Sequence, residues 1–467
     1  MTFFLYILSK YCHLPYDVFL MYVTWCGPKQ KNIFGLPKLI DILWPDNELV
    51  KLRNSIPFEE IVEIVRGGYS STQWAPSKSL RKLIALELLK KRFGYSDKDL
   101  VEIVNTDMAV MYFCWYEYVT TEPINSSTMT KFRNRITEEM ALMIQDVALW
   151  KQIKKLHRKK KASLQTDTTC IPENITYPTD TGILWKCFKK IVKVIDSVRK
   201  STKTPPWWWI IMRGKRILTK QLRSFSLQRR KSKKQIVRMQ KILVRKVMKY
   251  HTQATNLLHD LKEQQHLLVE NIITQSDKLL STIKQVLDQQ YEMVTKWTKS
   301  VAKRIVSLHK PYVRPIFRGK TNNNTEFWAK VTLTTIGGRY VQINAVEDEN
   351  ISDTQMPSKA IDSYVRLMGK PPDELSTDRW WHSPWNHKLL QEMWIVDGIQ
   401  YRWRIPKNNN QPPPTTRKRL AKWRCIVEWL IGVGKRKYGM GINNYKQKNR
   451  LWGIIFSTMM MNYRINM

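Results

Sequence analysis

The sequence predicts an α/β protein: a mixed sheet with flanking helices, interrupted by a long helical insertion and preceded by an all-α N-terminal domain. Three observations predict this arrangement. Residues 56–145 carry apolar side chains at helical spacing, glycine and proline are scarce from about 183 to 310, and apolar and polar residues alternate after Pro311. These patterns are typical of helices and of half-buried strands. Alternating strands and helices on both sides of an insertion suit a mixed sheet.

The composition indicates a polyanionic partner. Among 467 residues, Lys plus Arg number 79 and Asp plus Glu 39, which leaves a formal net charge of +40. Such an excess favours nucleic acid, because each phosphate that a cation neutralises releases condensed counterions. Charge alone leaves a ribosome-associated or membrane-surface protein open as the alternative. The length allows two or three domains.

The cysteines and the apolar segments predict a cytoplasmic protein with no membrane partner, which a nucleic-acid partner would associate with the nucleoid. The six cysteines lie far apart and form no CxxC pair, which argues against a zinc module or a disulfide framework. Lys10, His13, Pro15 and Asp17 interrupt the apolar start of the chain, so neither a signal peptide nor a membrane helix is expected. The apolar run Leu451–Met461 is too short to span a bilayer and predicts a buried helix.

The first part of the chain is predicted to be helical, with an extension over residues 1–55 and a domain over residues 56–145. Ser96 precedes Asp97 and Asp99, which predicts a capped helix start with acidic residues where the helix dipole favours them. Periodicity leaves two interpretations open: a purely structural helical domain, or one that binds DNA ends.

Residues 183–310 are predicted to be a helical, basic insertion. One apolar stripe predicts a long amphipathic helix within a helical hairpin or short coiled coil. Its members recur at steps of 7, 4, 7, 4 and 3: Leu261, Leu268, Ile272, Leu279, Ile283 and Val286. The segment 213–247 is crowded with cations, which repel each other unless a polyanion is near. We therefore predict that Arg229, Arg230, Lys233 and Lys234 bind DNA phosphate.

The last part predicts strands and helices in alternation. VRPIFRG, FWAKVTLTTI and RYVQINAVED alternate around the turn Gly337–Gly338, which predicts a meander of strands. A helix near 357–369, the short segment ELSTD, a helical stretch through NHKLLQEM and a strand GIQYRWRIP follow. KNNNQPPPTTRKR predicts a loop, and a final helix is predicted from about Leu420 to Lys437.

Three carboxylates have positions that suit phosphodiester chemistry. Asp167 lies in a predicted strand, Asp378 follows another strand, and Glu428 lies on the final helix. In a mixed α/β fold, such residues would meet at strand ends and on a helix beside the sheet. Hydrolysis without a covalent intermediate uses two divalent cations held by carboxylates, and Mg²⁺ or Mn²⁺ prefers oxygen ligands. Three acidic residues among 39 do not by themselves establish such a site.

Several segments, in order, resemble the DDE transposases of bacterial insertion sequences, which have an RNase H-like catalytic core. LQTDTTCIPENITYPTD resembles their first-aspartate region, STDRWWHSPWNHKLL the second-aspartate region and RCIVEWLIGVGKRKYGM the glutamate helix. HKPYVRPIFRGKTNNNTEFWAKVTLT is similar to the strands that follow their insertion. QWAPSKSLRKLIALELLK, YFCWYEYV and INSSTMTKFRNRI resemble their amino-terminal domain. The resemblance implies that residues 146–182 and 311–467 form the two parts of the RNase H-like core.

The final helix also carries the spacing R-x3-E-x6-K of one large branch of this family, as Arg424, Glu428 and Lys435, although Ala421 replaces its expected tyrosine. Steps of four and seven place these side chains on one helix face. The resemblance implies that Asp167, Asp378 and Glu428 bind two Mg²⁺ or Mn²⁺ ions and are catalytic. It further implies that Arg424, Lys435, Arg436 and Lys437 contact double-stranded DNA. The implied activity is metal-dependent end cleavage and strand transfer by a homodimer on DNA.

Tryptophan stands where this family usually has glycine. The positions are Trp74, Trp115, Trp328, Trp380 and Trp429. The chain contains 17 glycines and 19 tryptophans, and we hypothesise either a variant genetic code with mutational drift or a decaying element translated through former stops. A bulky side chain beside a metal ligand resists the close backbone approach that glycine allows. A degenerate or domesticated transposase that binds DNA without catalysis is therefore the alternative function.

Overall fold

Contacts divide the protein into two compact units. The core unit comprises residues 1–172 and 329–467, and the insertion unit comprises residues 173–328. The computed structural model describes residues 35, 37–69, 78–119, 124–158, 161–201, 208–263, 270–298, 301–317, 325–348, 352–403 and 412–465. Most of the predicted N-terminal extension and Trp74 lie outside the described residues.

Helices make up the core unit ahead of its sheet. They are α1 (Leu39–Ile42), α2 (Glu48–Ser55), α3 (Phe58–Arg66), α4 (Leu80–Phe93), α5 (Asp97–Val104), α6 (Met108–Phe113), α7 (Ser126–Arg133) and α8 (Glu138–His157). The predicted start of α5 is confirmed as a capping box, in which Ser96 Oγ accepts from Asp99 N–H at 3.3 Å and Asp99 Oδ2 accepts from Ser96 N–H at 3.4 Å. Reciprocal caps of this kind satisfy two of the unpaired N–H groups at a helix start.

The remaining elements alternate along the chain. The strands are β1 (Ser163–Pro172), β2 (Pro315–Phe317), β3 (Thr325–Ile336), β4 (Tyr340–Glu347), β5 (Glu374–Thr377) and β6 (Val396–Ile399). The helices after β1 are α9 (Asp180–Ser201), α10 (Trp208–Leu227), α11 (Lys233–Glu263), α12 (Glu270–Thr295), α13 (Met356–Met368), α14 (Pro384–Glu392), α15 (Pro414–Lys437) and α16 (Arg450–Ile465). The predicted α/β class is confirmed.

The core unit contains a mixed sheet with the strand order β4-β3-β1-β5-β6. β1 and β5 are parallel, as are β5 and β6, whereas β3 and β4 are antiparallel. β1 and β3 run in opposite directions, because Ser163 O accepts from Gly337 N–H at 2.9 Å while Thr166 and Thr334 share a hydroxyl hydrogen bond of 2.9 Å. Gly337 and Gly338 form the predicted turn with φ of 60° and 67°, the left-handed region that glycine enters without strain.

The outer edge of β4 is covered by two side-chain amides. Asn462 of α16 bonds both the N–H and the C=O of Val341 at 2.8 Å. Gln145 of α8 does the same for Ile343, at 2.7 and 2.9 Å. An unpaired strand edge invites pairing with other chains, and these amides remove that opportunity. The predicted buried C-terminal helix is confirmed, since the apolar residues of α16 lie in the core unit.

Helix α15 lies along β5 and β1. Ser376 Oγ donates to Leu420 O at 3.0 Å, and Arg419 forms an ion pair of 2.6 Å with Glu374 at the start of β5. Gly398 of β6 makes this packing possible, because an added Cβ would lie 2.6 Å from Leu375 O and 2.9 Å from Leu420 Cδ1. The approach of the helix to the sheet therefore depends on a position without a side chain.

The insertion unit is helical, with its own apolar core formed by α9 to α12. Helices α11 and α12 pack side by side, with Lys262 Nζ 2.5 Å from Asp277 Oδ2 and His251 Nε2 2.9 Å from Leu280 O. The predicted hairpin is thus confirmed. A single helix through the whole stripe from Leu261 to Val286 is wrong, because Leu261 ends up on the first arm and Val286 on the second. β2 pairs antiparallel with the first residues of β3, which also lie in this unit.

Two element boundaries differ from the predicted ones. α15 begins at Pro414, inside the predicted loop, because proline is tolerated in the first turn of a helix. β6 covers Val396–Ile399, so the predicted strand GIQYRWRIP is wrong beyond Ile399 in its described part. In the described part of the chain, no helix is long and apolar enough to cross a bilayer.

Three tryptophans have the backbone conformation that favours glycine. Among the described residues, the non-glycine residues with positive φ are Trp115 (64°), Trp297 (55°), Lys303 (52°) and Trp394 (57°). Trp115 is one of the positions at which the resembled family usually has glycine. Its indole N–H is buried and finds no acceptor among the described residues. The backbone at these positions is therefore strained for the side chain it carries.

Candidate active site

Asp167 lies midway along β1, where the pairing of β1 with β5 ends, and Asp378 directly follows β5. β1 and β5 are parallel, and their last register pair is Thr166 with Thr377. The next residue on each chain segment is an aspartate, so the sheet register itself brings Asp167 and Asp378 together. Asp378 also caps the short helix Arg379–Trp381, since its Oδ1 accepts from Arg379 N–H at 2.6 Å.

Helix α15 adds the third predicted carboxylate. Its buried residues Val427 and Leu430 face the core, and the neighbouring Glu428 side chain is 57% exposed. Arg424, one turn earlier, lies between the acidic residues. Its Nη1 is 2.6 Å from Asp378 Oδ1, and its Nη2 is 3.8 Å from Glu428 Oε1. The structure thus brings the four residues together, as the sequence predicts.

The electrostatics of Asp167 show that the acidic residues act on one another. Burial, with smaller contributions from the Glu428 and Asp378 carboxylates, raises the pKa of Asp167 to about 6. The Thr168 N–H, which donates to Asp167 Oδ1 at 2.7 Å, and the Arg424 guanidinium oppose this rise in pKa. Asp167 is partly buried and lies near two other carboxylates, an arrangement that favours a bound cation.

The three carboxylates are near each other but not clustered around one point. Among the described residues, a trio of possible ligand atoms within 4.8 Å of one another is found only at His259, Asp260 and Glu263. That trio is exposed on α11, in the insertion unit, and exposed acidic groups are common without a metal. The oxygens of Asp167, Asp378 and Glu428 are more widely spaced, and a guanidinium group of Arg424 stands between two of them.

A second network beside Asp167 was missed in the sequence. Thr168 Oγ1 donates to Asp353 Oδ1 at 3.1 Å, and Lys330 Nζ is 2.7 Å from the same oxygen. Lys330 is buried in β3, so its charge is paired away from water. Asp353 shows no strand or helix signal of its own, since it begins the short helix that leads into α13. Only the tertiary contact reveals it.

The segment after Asp378 is held by buried polar groups. Asn386, fully buried in α14, donates through Nδ2 to Thr354 O at 2.9 Å and to Trp381 O at 2.7 Å. His382 Nδ1 and His387 Nε2 are 2.8 Å apart, and His387 is hydrogen-bonded to Asp397. These bonds tie the turn that follows Asp378 to α14 and β6.

The predicted DNA-binding residues fall into two sets. On α15, Lys435 Nζ donates to Cys170 O of β1 at 2.9 Å, whereas Arg436 and Lys437 are exposed. Arg424 contacts carboxylates, as described above. Arg229, Arg230, Lys233 and Lys234 are exposed in the insertion unit, where α10 ends and α11 begins. The first set lies on the helix that carries Glu428, and the second set lies in the insertion unit.

Two tryptophans near the carboxylates are accommodated without positive φ. Trp380 is 55% exposed, with the Arg402 guanidinium 4.7 Å from its ring centroid. Trp429 follows Glu428 on the solvent side of α15 and is also 55% exposed. The side chain of Trp328 lies outside the described residues. The two exposed indoles add bulk at the surface beside the candidate site rather than inside it.

Two comparisons relate the chain to known proteins. A family model described as transposase domain (DUF772) matches residues 38–135. A protein of Rhizobium meliloti, described as uncharacterized protein ORF8 in the nfe locus, is 30% identical over 168 residues, which is 35% of this chain and 80% of that protein. The chain belongs to the transposases of insertion-sequence type.

The family model covers helices α1 to α7 of this transposase, but not α8 or the sheet. Asp167, Asp378 and Glu428 lie outside the matched residues 38–135. The family-model match and the carboxylate geometry are therefore separate observations on different parts of the chain. Comparison with solved structures gives no match.

Proposed function

We propose that this transposase is a DDE enzyme with an RNase H-like core, which cleaves the ends of its insertion sequence and joins them to target DNA. Asp167, Asp378 and Glu428 are its catalytic residues in this proposal, and two Mg²⁺ or Mn²⁺ ions are its cofactors. The observation that carries the proposal is the register of β1 and β5, which sets Asp167 beside Asp378 where the pairing of these parallel strands ends.

The sheet supports the proposed core type. Its order β4-β3-β1-β5-β6, with β3 antiparallel to both neighbours and β5 and β6 parallel to β1, is the arrangement expected for an RNase H-like sheet. The insertion enters between β1 and β3, where the resembled family carries its helical insertion. Fold alone does not define function, so the carboxylates carry the chemical part of the proposal.

The residues present fit divalent cations. The donor set is three carboxylates, and hard cations such as Mg²⁺ prefer oxygen ligands. The raised pKa of Asp167, caused mainly by burial and further by its acidic neighbours, indicates negative charge that a cation would balance. Bound there, two ions would activate the attacking oxygen and stabilise the leaving oxygen of a phosphodiester.

The protein side chains would hold and orient the reactants. Asp167 extends from the middle of β1 and Asp378 from the end of β5, and the Thr168–Asp353–Lys330 network braces the first of them. Arg436 and Lys437 project into solvent from α15, beyond Glu428, and could bind phosphates that flank the cleaved bond. Rigid elements on both sides of the site keep the reacting groups in place, which is where much of the rate enhancement arises.

A basic surface of the insertion unit supports DNA as the partner. Four cations with steps of four, three and four lie exposed along α11: Lys234, Arg238, Lys241 and Arg245. With Trp297 they line a shallow groove of about 480 Å³. In the described residues none of the four cations is paired with a carboxylate. A duplex backbone has the complementary charge, and a homodimer holding two ends is proposed from the family resemblance.

The proposal is tested by cleavage of the labelled element end by purified protein, with Mg²⁺ or Mn²⁺ and with chelator. We expect 3′-hydroxyl ends to be released only with metal, and the loss of cleavage in Asp378→Asn, which removes a charge but little volume. Asp362→Asn is the matched control, because Asp362 is an exposed residue of α13 outside the site.

Two results contradict the proposal. Cleavage by Asp378→Asn at the rate of the Asp362→Asn control would remove the aspartate from the mechanism. Tight binding of the end DNA without cleavage in either metal would instead support the degenerate, DNA-binding alternative. Size measurements on the protein–DNA complex, with one or two end fragments bound, test the homodimer separately.

A further inference from the structure

Arg424 is placed to neutralise the candidate metal site rather than to contact DNA directly. Its side chain is only 22% exposed, and its guanidinium contacts Asp378 at 2.6 Å and Glu428 at 3.8 Å. The same guanidinium lowers the pKa of Asp167, against the larger effect of burial. One cation therefore acts on all three carboxylates.

The location of this guanidinium matters because a divalent cation would need the same oxygens. An Arg fork binds a carboxylate oxygen that a metal would otherwise coordinate. Asp378 Oδ1 is already shared between Arg424 and the Arg379 N–H. The oxygens of Asp167, Asp378 and Glu428 are also not gathered within 4.8 Å of one another in the described chain. The single positive charge of Arg424 attracts these carboxylates less strongly than a divalent metal ion would.

The present position of Arg424 is also incompletely satisfied. Its Nε is buried and has no hydrogen-bond partner among the described residues. An unpaired buried donor is unfavourable, so displacing the Arg424 side chain costs less free energy when a divalent cation binds the carboxylates. Arg424 lies eleven positions before Lys435, so the two side chains share one face of α15.

We propose that Arg424 is a positioning residue that holds Asp378 and Glu428 before metal binds, and that divalent cations must displace it from these carboxylates. The proposal rests on the proposed function, because it requires the carboxylates to be metal ligands. Arg424 and the cation then compete for the same oxygens. Metal affinity is set partly by the strength of the Arg424–Asp378 contact.

The test is Mn²⁺ binding to the full chain without DNA, measured by calorimetry. We expect Arg424→Gln to bind Mn²⁺ about tenfold more tightly or better, since the competing charge is gone. Arg424→Lys keeps the charge and should stay close to the wild type. Lys422→Gln is the matched control: it removes one positive charge from an exposed position of the same helix, without contact to the carboxylates.

Thermal unfolding gives a second readout that does not depend on the folded variant being active. Without metal, Arg424→Gln should unfold at a lower temperature than Lys422→Gln, because Asp378 and Glu428 lose their counter-charge. Added Mn²⁺ should raise its unfolding temperature more than that of the wild type. A merely structural arginine would lower stability equally with and without Mn²⁺.

Two failures can be told apart. If Mn²⁺ binds, Asp378→Asn abolishes that binding, and Arg424→Gln binds no more tightly than Lys422→Gln, the competition is overturned and the metal site stands. If neither the wild type nor Arg424→Gln binds Mn²⁺ in a manner that depends on Asp378, the metal site and the role of Arg424 are overturned together.

Discussion

Trp394 has a left-handed backbone conformation that is unfavourable for a residue with a large side chain. Its φ is 57°, and its indole is 93% exposed, so no burial compensates the left-handed conformation. Trp297 is similar, with φ of 55° and 72% exposure. A side chain in this region costs about 1–2 kcal/mol relative to the right-handed conformation. Both positions have the geometry of glycine sites, which the sequence pattern did not identify.

Trp394→Gly should therefore stabilise the protein, against the usual effect of removing a large side chain. We expect a gain of up to about 1 kcal/mol in the free energy of unfolding, measured by urea denaturation, because the steric cost disappears. Trp385→Gly is the control: Trp385 is 58% exposed but lies in α14. Glycine in a helix should cost about 1 kcal/mol there. A loss of stability in both variants would contradict the strain at Trp394.

Asp167 links the candidate chemistry to stability. Burial and its acidic neighbours raise its pKa in the folded state from 3.8 to about 6. Protonation of Asp167 therefore stabilises the folded form. This contribution to the free energy of unfolding is complete below about pH 4 and is lost as pH rises through about 6. A shift of this size corresponds to roughly 3 kcal/mol between the two protonation states.

Asp167→Asn should relieve this cost. In chelator, we expect the free energy of unfolding of the variant to exceed that of the wild type by about 1–3 kcal/mol at about pH 8, and to differ little near pH 4. Urea denaturation at the two pH values measures the effect, and Asp362→Asn serves as the control. An equal change at both pH values would exclude ionisation of Asp167 as the cause.

At the scale of elements, the sequence correctly predicted the helices and turns that depend on residues close together in the chain. The capping box at Ser96, the turn at Gly337–Gly338 and the buried C-terminal helix follow from residues close in the chain. The start of α15 did not, because Pro414 and the residues after it have the composition of a loop, and tertiary packing along β5 stabilises the extra turns. The predicted segment boundaries at 145, 182 and 310 stay predictions.

The candidate site also contains some residues that the sequence predicted and others that it could not. Asp167 and Asp378 were predicted from strand signals, and the register of β1 and β5 explains their proximity. Asp353 and Lys330 were missed, since they meet Thr168 only through long-range contacts that carry no local signature. The contact of Arg424 with Asp378 could not be predicted either, because helix periodicity sets a face and not its partner.

Gly398 offers a test of how closely α15 must approach the sheet. A methyl group there would lie 2.6 Å from Leu375 O and 2.9 Å from Leu420 Cδ1. Gly398→Ala should therefore destabilise the protein by about 1–3 kcal/mol through overpacking, measured as a lower urea midpoint. Gly432→Ala, on α15 with its nearest neighbouring atom at 3.6 Å, should be neutral or stabilising. Equal effects in both variants would contradict the close approach.

At the scale of the whole molecule, the charge is concentrated on defined surfaces. Lysines paired with acidic residues contribute little to a phosphate surface, whereas the α11 cations face solvent without such partners in the described chain. The release of counterions on DNA binding then depends mainly on the α11 cations. Salt dependence of DNA binding is thus a measure of which cations contact phosphate.

Replacing Lys234, Arg238, Lys241 and Arg245 together by Gln should flatten the salt dependence of DNA binding. We expect the slope of log affinity against log salt to fall by up to about 0.9 for each phosphate that is no longer neutralised. The control replaces four lysines that already have acidic partners: Lys200, Lys262, Lys284 and Lys296. Equal slopes for the two variants in fluorescence titrations would assign DNA binding to other cations.

The insertion unit begins and ends beside the same pair of strands, β1 and β3. Glu173 N–H donates to Phe327 O at 3.0 Å, so the antiparallel ladder of β1 and β3 continues to both ends of the insertion. Topologically the whole unit is the loop of a β-hairpin that has grown to domain size. Shortening or replacing the unit between Glu173 and Phe327 would leave the order β4-β3-β1-β5-β6 unchanged. Loop closure entropy grows only slowly with length, so the hairpin tolerates a loop of very different sizes.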